Sequence, residues 1–337
     1  MKRTLTFLFT LFLVLLCIVP SYARSKFGFI DKTGKMVIKP QFGFAESFSG
    51  GLAYVTRNGY AGYIDKTGKF VIQPVYDFAS GFSEDLASVT KEGKRFFIDK
   101  TGKTVIETDY DSIASFSEGL ALVKKQEKYG YIDKTGALII PLQFDMAYPF
   151  ANDMAVIRQG NLLRGKFGFI DKTGKMAIPP QFDQAYLFSE DLAPVMKGGK
   201  WGYINKAGTM VIESQFTEAF SFIDGMALVN RSGKYVYIDK SAKVVIDLLF
   251  ERGSVFKEGL ARARRNGKWG YIDKTGKTVI APLFEEAWLF SDGMARVKKE
   301  GKWGFINNTG EMVIEARYKT AYDFSEGLAP VEEAEEE

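Results

Sequence analysis

Apolar and polar positions follow a fixed sequence of rhythms along this chain, clearest around Asp171. Phe167-Gly168-Phe169-Ile170 is a short run of strand formers, and Asp171-Lys172-Thr173-Gly174 is a turn signal. Lys175-Met176-Ala177-Ile178 is a second strand, with Asp accepting a backbone N–H in the turn and Gly taking its positive-φ position, so a tight hairpin is predicted. Pro179-Pro180 is expected to end that strand, because proline donates nothing to a ladder. Phe182, Ala185 and Phe188 follow at a spacing of three, which fits neither strand nor helix and reads as a packed irregular connector. Ser189-Glu190-Asp191 turns the chain into a third strand, Leu192-Ala193-Pro194-Val195, and Gly198-Gly199-Lys200 leads into the next hairpin.

The same order recurs nine times. Its acidic position falls at Asp31, Asp65, Asp99, Asp133, Asp171, Asn205, Asp239, Asp273 and Asn307, with every interval 34 residues except one of 38. Such a period marks an array whose units bury apolar faces against their neighbours. The predicted fold is all-β: nine three-stranded antiparallel meanders in a propeller-like array, either a closed ring or an open spiral, with a β-solenoid as the alternative. The ends are complementary, since the chain starts on a first strand and finishes on a third, whereas nine units and the insertion around Asn161-Leu162-Leu163-Arg164 speak against closure. Four positions are the same in all nine units: the Ile before the turn, the Ile ending the second strand, the connector Phe and the third-strand Ala. All four are packing positions. The turn Asp is Asn twice, which keeps an Asx turn but not a charge, so its role is structural.

Three units read Gly-Lys-Trp-Gly-Tyr/Phe-Ile, at 199–204, 267–272 and 301–306, and Phe-Ser-Glu-Gly-Leu-Ala stands at 116–121 and 324–329. In these motifs the chain resembles the WG (KWG) repeat family over residues 26–331. The other units put Phe27, Tyr129, Phe167, Tyr235, Ala61 or Arg95 at the Trp position, and Gly gives way to Phe96 and Val236. The resemblance implies a β-repeat module of bacterial surface or envelope proteins and no catalytic motif.

Composition narrows the chemistry. With no His in the sequence, His-based acid–base catalysis, His–metal sites and Ser–His or Cys–His dyads are excluded. Lys2-Arg3, the apolar run to Val19, Pro20 and Ser21-Tyr22-Ala23 read as a signal peptide over residues 1–23, which places the protein outside the cytoplasm: periplasmic, surface-bound or secreted. Its removal also takes Cys17 and leaves a net charge of +2, too little to argue for nucleic acid. The repeat domain then spans 24–331, and residues 332–337 read as a disordered acidic tail.

Two surfaces remain as candidates. Lysine follows the turn residue in eight units, among them Lys134, Lys172 and Lys206, and stacked units align these into a rim. That rim is either a platform for an anionic partner or a solvated edge. The connector position after the Ala carries Tyr148, Tyr186 and Trp288, which either stack on a sugar or peptide or fill gaps between units. No cofactor or metal motif is present. The expectation is a non-enzymatic binding or scaffold protein for a protein or envelope polysaccharide, without nucleic acid or a membrane span after signal cleavage. The alternative is a glycan-active enzyme using two carboxylates in a central channel.

Overall fold

A computed structural model describes residues 26–161, 164–247 and 250–333, and all regular secondary structure among them is strand. The expected signal segment, Leu162 and Leu163 of the insertion, and residues 334–337 lie outside the described residues. The repeating sheet has four strands, where the sequence predicted three per unit. Gln184–Ala185, Leu192–Lys197, Lys200–Asn205 and Met210–Phe216 lie side by side in that order, all antiparallel. The additional strand is the middle of the connector, where Gln184 and Ala185 pair with Met196 and Val195. Each sheet, or blade, is therefore out of phase with the sequence repeat: it takes its first two strands from one unit and its last two from the next.

Seven blades of this kind follow one another, and a seven-stranded sheet holds the eighth and ninth. The long strand Met312–Ala321 runs from the outer edge of the eighth into the ninth. That ninth blade is completed by both ends of the chain. Phe27–Asp31 pairs with Leu328–Glu333 in continuous register, from Phe27 opposite Glu332 to Asp31 opposite Leu328. Contacts across this seam repeat those of the interior. Ser325 Oγ donates to the Phe48 carbonyl at 2.7 Å, as Ser189 Oγ does to the Phe222 carbonyl at 2.7 Å. The blades thus close into a ring, which rules out the open spiral and the solenoid. The closing strand also takes in Glu332 and Glu333, the first two residues of the expected tail; Glu332 is buried and accepts from Thr320 Oγ1 at 2.6 Å.

All nine copies of the four invariant positions are buried. The connector Phe does more than fill space: it packs on the aromatic ring two residues beyond the Trp position in the preceding blade. Tyr203 meets Phe222 at 4.9 Å between centroids, Phe169 meets Phe188 at 4.9 Å, and Phe29 meets Phe48 at the boundary between the ninth and first blades at 5.1 Å. Where that ring is Tyr, its hydroxyl donates to a connector carbonyl of the next blade, as Tyr203 does to Phe220 at 2.8 Å.

Pro179-Pro180 does not end its strand, which runs from Met176 to Phe182. Pairing jumps from Phe169 opposite Ile178 to Phe167 opposite Phe182, so the prolines sit in a bulge, on the sheet edge, where no N–H is required. The bulge explains the glycine after Trp. A Cβ on Gly202 would lie 2.4 Å from the Ile212 carbonyl oxygen, and one on Gly168 would lie 2.5 Å from that of Ile178. In the two units that lack this glycine, Phe96 pairs directly with Glu107 and Val236 with Asp247, and the outer strand of the first of these shortens to Thr104–Thr108. Gly202→Ala is therefore expected to lower stability by about 1–3 kcal/mol through forced backbone displacement. Chemical unfolding monitored by tryptophan fluorescence reads this, and an unchanged midpoint would contradict it.

Candidate functional site

Strand register sorts the turns onto two ends of the ring. Leu192 pairs with Asn205, so the Phe-Ser-Glu-Gly type turn and the Asp-Lys-Thr-Gly type turn share one end. Lys197 pairs with Lys200, which puts the hairpin between third and first strands at the opposite end.

At the first end each Asp-Lys-Thr-Gly type turn is held by one side-chain oxygen of its Asp or Asn. Asp171 Oδ1 accepts from Thr173 Oγ1 at 2.6 Å, Thr173 N at 2.9 Å and Lys175 N at 3.1 Å. The Thr173 hydroxyl foremost, with these N–H groups, holds the Asp171 carboxyl below its usual range. Asn307 makes the same three bonds through Oδ1, which is why the amide substitutes freely. The lysines form a ring at this end, as pairs. Lys134 lies 3.0 Å from Glu84, and Lys172 lies 3.1 Å from Glu118 and 2.9 Å from Asp153. Lys206 lies 3.5 Å from Asp191 and 3.9 Å from Asp153. The acids also tie blades together: Glu118 accepts from Asp153 N at 2.9 Å and Glu190 from Gly225 N at 3.0 Å. This end is a belt of alternating charge, with little net field to gather an anion.

The aromatic candidates lie toward the opposite end. Tyr186 stacks flat on Trp201, centroids 4.8 Å apart and planes 5° apart, and remains 50% exposed. Tyr148, 40% exposed, stands in the neighbouring blade, and the two line one cleft of about 550 Å³. Phe167, Arg158, Arg164, Lys166 and Asp183 share its walls. Trp288 is three blades from Tyr186, 42% exposed, with the Arg296 guanidinium 4.2 Å and the Arg262 guanidinium 5.6 Å from its ring centre. Arg296 continues the series to Trp303 and Tyr322 and is anchored by Asp323 at 2.7 Å. The structure thus joins Tyr148 to Tyr186, separates both from Trp288, and sets all three apart from the lysine belt.

The arginines were missed in the sequence. Arg158, Arg262 and Arg296 stand at third-strand positions that vary from unit to unit, and only proximity to the connector aromatics gives them meaning. Among the described residues no three His, Cys, Asp or Glu side chains are grouped as a metal site, and no helix is long and apolar enough to cross a membrane.

At neutral pH, Asp171→Asn is expected to change stability by less than about 0.5 kcal/mol. The turn carboxyls titrate below the ordinary range, so their contribution is complete above about pH 4 and is withdrawn as pH falls through the lowered values. Thermal melts at decreasing pH should show a shallower acid loss for Asp171→Asn than for the wild type. A steeper loss would contradict this.

Comparison with known proteins agrees with this architecture. Among solved structures, a eukaryotic initiation factor superimposes with a TM-score of 0.61 over 91% of this chain and 98% of its own, at 11% identity, which speaks for the fold alone. Citrobacter koseri AztD aligns over 92% of this chain and 98% of its own at 13% identity, with a TM-score of 0.43. No curated protein matches. The WG containing repeat matches nine consecutive stretches, from 27–60 to 303–335, and the chain belongs to that family of WG repeat proteins.

Proposed function

We propose that the chain is an exported, non-catalytic binding or scaffold module whose recognition surface is the aromatic end of the ring. One observation carries this reading. The four packing positions are the same in every blade, while the connector position after the Ala changes from Glu46 and Ser80 to the exposed rings of Tyr148, Tyr186, Phe220 and Trp288. Large rings left half-exposed on a rigid scaffold suit contact with a partner, because burying them costs little side-chain entropy. The lysine belt serves cohesion between blades, since its charges are met by neighbouring acids. Partners of suitable chemistry are an envelope polysaccharide or an envelope protein.

Capture of envelope polysaccharide and protein fractions on the immobilised protein tests the reading. The combined Tyr148→Ala, Tyr186→Ala and Trp288→Ala variant should lose capture. The combined Lys134→Ala, Lys172→Ala and Lys206→Ala variant should keep it. Undiminished capture by the aromatic variant, or release of reducing sugar ends abolished by one carboxylate substitution, would overturn it. Export predicts a mature chain beginning at Arg24, and N-terminal sequencing that finds Met1 retained would reject that part.

A further inference from the structure

The cleft between the fourth and fifth blades differs from those beside the other seven hairpins of this kind in the length of its wall. Elsewhere the hairpin between third and first strands is as tight as Lys197 paired with Lys200. In the fourth blade Gln159 pairs with Lys166, and the longer loop sets Arg164 and Gly165 against the cleft. Its volume of about 550 Å³ is that of a small-ligand site.

Arg158 stands in the cleft's lining, only 9% exposed, and among the described residues its Nε is buried without a hydrogen-bond partner, as are those of Arg262 and Arg264. What sets Arg158 apart from Arg264, its equivalent in another blade, is the absence of an ion pair. Buried guanidinium donors are normally satisfied, since leaving one unpaired forfeits solvation without return. Equivalent charged residues of other blades have opposite charges beside them. Lys124 meets Glu127 at 2.8 Å, Lys298 meets Glu286 at 3.0 Å, and Arg264 lies 3.9 Å from Glu251. Arg158 has no ion pair among the described residues. The nearby Asp145 is already committed, to Lys128 at 2.6 Å and to Gly160 N at 2.7 Å. Asp183, the acid of the lining, is bound to Lys166. The cleft lining therefore carries more basic than acidic side chains, Arg158, Arg164 and Lys166 against Asp183.

Beside that charge stand two exposed flat rings. Tyr186 is fixed in plane by its stack on Trp201, and Tyr148 faces the same space from the other blade. Guanidinium groups match the planar carboxylate fork, and a fixed aromatic face suits the apolar side of a pyranose ring. From this combination we propose that the cleft binds an acidic saccharide, with Arg158 pairing its carboxylate, Arg164 adding charge at the rim, and Tyr148 and Tyr186 supporting the sugar. It rests on the reading of the aromatic end as the recognition surface and names the ligand class of one part of it.

The test is calorimetric titration of the full chain with an oligogalacturonate, its fully methyl-esterified counterpart and an oligoglutamate peptide. The expected result is saturable binding of the oligogalacturonate, lost on esterification and weakened about tenfold or more by Arg158→Gln. Arg164→Gln, an exposed change at the rim, should weaken binding without altering unfolding, so the outcome does not depend on Arg158→Gln folding well. No binding of the oligogalacturonate, equal binding of its methyl ester, preference for the oligoglutamate, or unchanged affinity in Arg164→Gln would each overturn the proposal. If the oligogalacturonate fails while the aromatic triple variant still loses envelope capture, this assignment falls and the general reading stands. If capture also survives that variant, both fall.

Discussion

Every boundary between blades rests on the same aromatic pair. The ring two residues beyond the Trp position in one blade packs against the connector Phe of the next at 4.8–5.1 Å, at all nine boundaries. Such pairs contribute about 0.5–1.5 kcal/mol beyond the area they bury, and here they also fix how far each blade turns from its neighbour. Because each blade draws strands from two consecutive units, no unit can satisfy its own ladder. The same logic holds at the seam, where the first strand of the chain completes a sheet begun by the last.

With blade geometry fixed this way, the outer strand of seven blades bulges over the inner one, and the glycine after the Trp position makes room for it. Position-specific chemistry is then free to vary on the connector and third strand. The turn end uses paired charges to hold neighbouring turns together, while the other end leaves Tyr148, Tyr186 and Trp288 half-exposed beside largely covered arginines. The paired charges and the exposed aromatic rings thus occupy different ends of the ring.

Much of this was legible in the sequence. Turn chemistry placed the hairpins, and the invariant Ile, Phe and Ala marked the core. The fourth strand was not legible, because Gln184 and Ala185 form only two residues of ladder, too short for a period-two signal. The prolines misled because their strand bulges, and a bulge removes the need for the N–H that proline lacks. At the candidate site, Tyr148, Tyr186 and Trp288 stood out as aromatics at one repeat position. Arg158 did not, since a lone arginine in a variable strand position acquires meaning only from its lack of an ion pair among the described residues, where the nearby acids are bound to lysines.

The claim on which the account depends is that the closing pair of strands in the ninth blade is held like the corresponding pair in the other eight. Native-state hydrogen exchange measures it directly, by comparing amides of Phe27–Asp31 and Leu328–Glu333 with those of Lys200–Asn205 and Leu192–Lys197. A closed ring predicts comparable protection in both pairs of strands, and loss of protection at Phe27–Asp31 when residues 328–337 are deleted. Rapid exchange of both terminal strands in the intact protein, with the interior pair protected, would show an open array and contradict it.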